Sequence, residues 1–171
     1  MTDVDDLVRA AQRGDRAAFG ALYAQFGRLV HGVLLCRVGR TEVDDLVQEV
    51  FLTAFERLST LREPSAFGAW LAAIARRRAT DHLRRARPTD ELPEDVAAPA
   101  RPHAEAAQIL GVIQRLPDAY RETLILRLVE GMTGPEIAAR TGLTEGSVRV
   151  NLHRGMKMLR ESLSGTQRVA R

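Results

Sequence analysis

Residues 133 to 159, TGPEIAARTGLTEGSVRVNLHRGMKML, leave the backbone few alternatives. Thr133 and Glu136, three positions apart, can cap a helix start reciprocally, and Pro135 fits the first turn, where its missing N–H has no helical partner. Ile137 and Ala138 supply one large and one small apolar contact. Gly142 falls where the chain must reverse, a position that favours a residue able to take positive φ. Thr144 is then placed to N-cap a second helix, in which Val148, Leu152, Met156 and Leu159 recur at three- and four-residue spacing. The segment therefore predicts two short helices joined by a tight turn, the second with one buried stripe.

The opposite face of that second helix holds Glu145, Arg149, Val150, His153, Arg154 and Lys157. A solvated face is the ordinary reading of such charges. The turn glycine, the small alanine and the basic face coincide, however, and together they have the layout of a helix-turn-helix whose second helix enters the major groove of DNA.

Composition sets outer limits. The chain has 171 residues, 45% hydrophobic and 27% charged, which is ordinary for a soluble globular protein. No apolar run approaches the roughly 20 residues a membrane-spanning helix needs, and the acidic, amphipathic start MTDVDDLVRA is unlike a secretory signal, so a cytoplasmic protein is expected. The single Cys36 cannot form an internal disulfide or, alone, a zinc site, and within Val33-Leu34-Leu35-Cys36 it reads as a small core residue. Asp44, Asp45 and Glu49 resemble a carboxylate cluster, yet no nearby His or Cys has ligand spacing. With no glycine-rich phosphate loop or nucleophile motif either, no metal, cofactor or catalytic residue is expected.

The formal net charge of +3 conceals a pattern, since two basic segments are separated by an acidic one. Basic segments attract a phosphate backbone by charge alone. The acidic stretch PTDELPEDVAAPARP is rich in proline and alanine, lacks hydrophobic periodicity and reads as an extended linker. The expected organisation is a domain over 1–87, a flexible linker over 88–104 and a helix-turn-helix domain over 105–171.

Outside the linker every periodic segment is helical, which gives an all-α fold of two small helical domains. In the first domain the pattern predicts helices over about Val4 to Arg13, Arg16 to Val38, Glu42 to Leu58, with Thr41 and Asp44 as its cap, and from Pro64-Ser65 through Arg85. In the second, helices are expected around Glu105 to Leu116 and Asp118 to Glu130, ahead of the helix-turn-helix pair. The tail from Gly165 is expected to be irregular.

In EVDDLVQEVFLTAFERL a core stripe of Val43, Leu46, Val47, Val50, Phe51 and Ala54 leaves Asp44, Asp45, Gln48 and Glu49 together on another face. The next helix, FGAWLAAIARRRATDHLRRAR, begins apolar and ends basic. Phe67, Trp70, Leu71, Ile74 and Leu83 are expected to pack inward. Arg76, Arg77, Arg78, Arg84, Arg85 and Arg87 offer a surface that can track phosphates.

These segments resemble the extracytoplasmic-function sigma factors, the smallest class of sigma-seventy-type transcription initiation subunits, over nearly the whole chain. DDLVQEVFLTAFERL is similar to the family's polymerase-binding helix, FGAWLAAIARRRATDHLRR to its promoter-melting and minus-ten segment, and LPDAYRETLILRLVEGMTGPEIAARTGLTEGSVRVNLHRGMKMLR to its minus-thirty-five domain. The resemblance implies that Asp45, Leu46, Gln48 and Glu49 dock the clamp helices of the largest subunit of core RNA polymerase, with the flap as a second polymerase contact. It implies that Arg76, Arg77, Asp81, His82, Arg84 and Arg85 meet the minus-ten duplex and separated strand, and that the loop from Ser59 to Ala66 captures a flipped base. Arg149, Val150, Asn151, His153, Arg154 and Lys157 then face the minus-thirty-five element. An anti-sigma factor is the further partner implied.

A second class, a dimeric helix-turn-helix regulator acting on an operator, accounts for residues 105 to 160 but gives the first domain no task. Transcription reconstituted from this chain and core enzyme separates the two.

Overall fold

The computed structural model describes residues 3–86 and 101–169. Among the described residues the fold is all-α: α1 (Val4–Gln12), α2 (Arg16–Leu35), α3 (Arg40–Arg57), α4 (Phe67–Ala86), α5 (Arg101–Gln114), α6 (Asp118–Leu128), α7 (Gly134–Thr141) and α8 (Glu145–Val169), with short 3-10 turns at Leu58–Thr60 and Pro64–Ala66 between α3 and α4. Most of the expected linker, residues 88–100, lies outside the described residues. Its expected final stretch, 101–104, is the first turn of α5, where Pro102 is tolerated because the N–H it lacks would have no helical partner. The tail also differs from the expectation, since α8 runs on to Val169.

Local chemistry explains several helix starts. Asp3 caps α1 through the Asp5 amide, and Asp15 accepts from the amides of Ala17 and Ala18 at the start of α2. The capping pair expected at Thr41 and Asp44 does not form. Gly39, in extended conformation, precedes α3 with no side-chain cap. The register of α3 is instead fixed by its buried stripe, Val43, Leu46, Val47, Val50, Phe51 and Ala54.

Helices α1, α3 and α4 pack on α2, in whose C-terminal half Leu29, Val30 and Val33 through Leu35 are buried, with Cys36 buried just beyond its end. Helix α6 also packs on α2, so Leu124, Ile125 and Leu126 join the same apolar cluster as Val33 and Leu34. Two glycines permit the approach. A Cβ on Gly32 would lie 2.7 Å from Leu126 Cδ2 and 2.9 Å from Glu130 Cγ, and a Cβ on Gly68 would overlap the carbonyl of Arg140. Cys36 is a core residue, its thiol donating to the Gly32 carbonyl at 3.1 Å, and burial pushes that thiol well above its ordinary range. Leu83, expected to pack inward, is 43% exposed at the outer end of α4.

Candidate nucleic-acid interface

The turn segment folds as its residues dictate. Thr133 and Glu136 form the reciprocal cap, with the Thr133 amide donating to the Glu136 carboxylate at 2.8 Å and the Glu136 amide donating to Thr133 Oγ1 at 3.3 Å. The Thr133 amide, together with the Thr133 hydroxyl that donates to the same carboxylate oxygen at 2.9 Å, holds the Glu136 carboxyl below its usual range. Gly142 ends α7 at φ 76°, in the left-handed region where a side chain is strained. The Thr144 hydroxyl accepts from the Ser147 amide at 3.1 Å and opens α8.

Helix α8 turns Val148 and Leu159 into the core, with Leu152 and Met156 half-buried beside them. Gly155 is a core position the periodicity did not reveal: its Cβ would touch Leu124 at 3.0 Å and Tyr120 at 3.2 Å, so it is the point where α8 crosses α6. On the other side Arg149, Val150, His153, Arg154 and Lys157 are exposed, and Asn151 is half-buried. Lys157 lies 4.0 Å from Glu161. No acidic group among the described residues pairs with Arg149 or Arg154, whose guanidinium groups stand free in solvent.

Helix α4 is less uniform. Arg77, Arg84 and Arg85 are exposed along its basic end, and Arg84 lies 3.8 Å from half-buried Asp81. His82 Nε2 sits 3.1 Å from Glu42, close enough for an ion pair when protonated but not aligned as a hydrogen bond. Arg78 is tied to Glu49. Arg76 is committed across the molecule, donating through Nε and Nη2 to both carboxylate oxygens of Glu122 at 3.0 and 2.6 Å. The sequence gives no warning of that partner, because Glu122 reads as a solvated position on α6.

The acidic face of α3 is only partly displayed. Asp44, Asp45 and Gln48 are exposed, Glu49 is held by Arg78, and Leu46 is 4% exposed and belongs to the core. One turn further on, Leu52 is 60% and Phe55 46% exposed, an apolar continuation of the Gln48 edge that sequence periodicity alone did not single out. The loop between α3 and α4 is pinned from α1: Gln12 Nε2 donates to the carbonyls of Leu58 and Leu61 at 3.0 and 2.8 Å. With Leu58, Leu61 and Pro64 buried, Ser59, Thr60, Arg62, Glu63 and Ser65 project outward on a fixed backbone.

Two family models match the chain, Sigma-70 region 2 over residues 22–89 and Sigma-70, region 4 over residues 106–159. The chain is 34% identical to the RNA polymerase sigma factor NccH of Alcaligenes xylosoxydans xylosoxydans, over 98% of this chain and 100% of that protein. It is 32% identical to the ECF RNA polymerase sigma factor BldN of Streptomyces coelicolor, over 90% of this chain and 63% of that longer protein. The solved structure of CnrH in complex with the cytosolic domain of CnrY is similar in fold, with a TM-score of 0.66 at 28% identity, covering 95% of this chain and 97% of that one.

Proposed function

This chain belongs to the extracytoplasmic-function sigma factors, and we propose that it acts through three of its own surfaces: α3 on core RNA polymerase, α4 with its preceding loop on the minus-ten element, and α8 on the minus-thirty-five element. Its contribution is binding, and the polymerase performs the nucleotidyl transfer. The observation that carries the reading is the solvent-facing set Arg149, Val150, His153 and Arg154 on a helix whose position is fixed by the Thr133–Glu136 cap, the Gly142 turn and the Gly155 crossing. Such a helix turns its apolar side to the core and leaves unpaired guanidinium groups for base edges and phosphates.

On α4, Arg77, Arg84 and Arg85 are placed to follow the backbone phosphates, while Asp81 and His82 sit between them. The rigid loop from Ser59 to Ala66 offers hydroxyl and charged groups to an unpaired base, and extruding a base costs a few kcal/mol of stacking that a pocket can offset. On α3, Asp45 and Gln48 supply the polar part of the polymerase contact, and Leu52 and Phe55 extend it with apolar surface; Leu46 supports the helix from beneath. The linker is read as residues 88–100, ahead of α5, between a unit over 1–87 and a unit that begins with α5 at Arg101, so that each unit carries one promoter contact. The place of action is the cytoplasm, where core polymerase is found. No helix among the described residues is long and apolar enough to cross a membrane. By analogy with CnrH, solved with the cytosolic domain of CnrY, an anti-sigma factor controls access to these surfaces.

The test is reconstituted transcription from a cognate promoter with this chain and core enzyme alone. Reversing the charge of Asp45 and Glu49 to lysine is expected to abolish co-purification with core polymerase while leaving binding of duplex DNA by α8 intact. Retained co-purification would refute the assignment of α3.

A further inference from the structure

The loop between α3 and α4 consists of two closed turns and an open joint. The Leu61 amide closes the first by donating to the Leu58 carbonyl at 3.1 Å, and the Ala66 amide closes the second by donating to the Glu63 carbonyl at 3.0 Å. Between them the backbone is extended, with Leu61 at φ −74°, ψ 110° and Glu63 at φ −111°, ψ 104°. Neither the amide nor the carbonyl of Arg62, in the middle, is hydrogen-bonded among the described residues. Each residue of such a joint keeps two soft torsions, so a partner from outside the loop has to set its direction.

Gln12, in the last turn of α1, is that partner. Its Nε2 donates to the Leu58 carbonyl at 3.0 Å and to the Leu61 carbonyl at 2.8 Å, so one amide spans the first turn and the start of the joint. A planar trans peptide directs its N–H opposite to its carbonyl. Holding the Leu61 carbonyl on α1 therefore turns the Arg62 N–H away from α1, where it stands free. The exposed side chains of Arg62 and Glu63 follow directly, with the Ser65 hydroxyl donating to the Glu63 carboxylate at 3.0 Å. Burial of Leu61 and Pro64 keeps the loop seated; the Gln12 amide fixes which way the peptide between Leu61 and Arg62 faces.

We infer that Gln12 is a positioning residue for base capture, whose amide aims the Leu61–Arg62 peptide so that Arg62 and Glu63 meet an unpaired base of the promoter strand. The inference rests on the reading that the loop from Ser59 to Ala66 takes that base, and it assigns the loop's readiness to a residue on another helix. A loop already held in its binding conformation loses less freedom when the base arrives, so it captures the base more tightly than one that must order on contact. Without the Gln12 donor the loop stays attached through its buried side chains but loses that advantage.

The experiment uses the full chain assembled with core polymerase and labelled single strands carrying the non-template minus-ten sequence of a promoter mapped from its start site. In a series of strands each base is removed in turn to leave an abasic site, and affinity is read by fluorescence anisotropy. The unmodified chain is expected to show one position in that sequence at which base removal weakens binding about tenfold, the size of one base contact. Gln12→Met keeps the length of the side chain and loses the donor, and Gln12→Glu sets a carboxylate against the two carbonyls. In both, the loss at that position is expected to fall to about twofold while the losses at the other positions stay as they were, the mark of coupling between Gln12 and one base. Destabilisation of the fold would instead move every position alike. Duplex binding by α8 and co-purification with core polymerase, both expected to be unchanged, show that the variants are folded. A loss that remains about tenfold in both variants overturns the inference, and so does an equal weakening at every position. Failure of the base-capture reading shows separately, as the absence of any costly position in the unmodified chain, and it takes the inference with it.

Discussion

His31 and Glu130 are far apart in sequence and unremarkable in it, and together they make the α2–α6 junction sensitive to pH. The hydrogen bond to Glu130 raises the His31 pKa above its ordinary 6.5, burial opposes this, the charges of Glu130 and Asp44 add to it, and Arg40 opposes it. Arg28 also faces the group, through the Glu130 carbonyl. A histidine with a raised folded-state pKa contributes stability that is complete below about 6.5 and is lost as the pH rises through the higher folded value. The melting-temperature advantage of the native chain over His31→Gln is therefore expected to shrink as the pH rises from about 6.5 through the raised folded-state value. A difference that stays constant across that window would remove His31 from the junction's energetics. The same residue-by-residue logic applies to Arg149 and Arg154. If they touch base edges, each alanine replacement costs about 1–3 kcal/mol of promoter binding and relaxes specificity at one position, which a titration against single-base promoter variants reads directly.

At the scale of elements, much was legible because helix chemistry is local. The Thr133–Glu136 cap, the Gly142 turn and the Val148–Leu159 stripe are each set by residues within a few positions of one another, and all three are present. Thr133→Ala is expected to destabilise the C-terminal helices by about 1 kcal/mol, measured by denaturant unfolding, because it leaves the Glu136 amide without its side-chain acceptor. What could not be read locally is which surface meets which. The start of α3 is set by its buried stripe and not by the Thr41–Asp44 pair, and Leu83 faces solvent although its neighbours suggest a core position. Gly155 looks like a flaw in a helix until Leu124 and Tyr120 are placed against it. The acidic face of α3 and its buried stripe, Leu46 included, were visible as a pattern, but only the fold separates exposed Asp45 and Gln48 from Glu49 held by Arg78.

At the scale of the whole molecule, the sequence divides the chain at an acidic, proline-rich stretch, whereas the apolar core does not divide there. Val33 and Leu34 from the first half and Leu124, Ile125 and Leu126 from the second belong to one cluster, and the Arg76–Glu122 pair closes over its edge. Linker composition says how freely two units can move; it carries no information on whether their facing helices have complementary surfaces. Those surfaces make a thermodynamic prediction. Two helical units that share buried side chains lose apolar contacts together when either one melts, so they couple as a single cooperative unit. The native chain is expected to unfold in one calorimetric transition, with the calorimetric enthalpy matching the van't Hoff value. In Gly32→Val, where a side chain stands 2.7 Å or less from Leu126 Cδ2 unless α6 withdraws, the coupling is lost and two transitions are expected, the lower one moving with Thr133→Ala. Two transitions already present in the native chain would mean that the junction contributes little, and that the core is in effect two cores in contact.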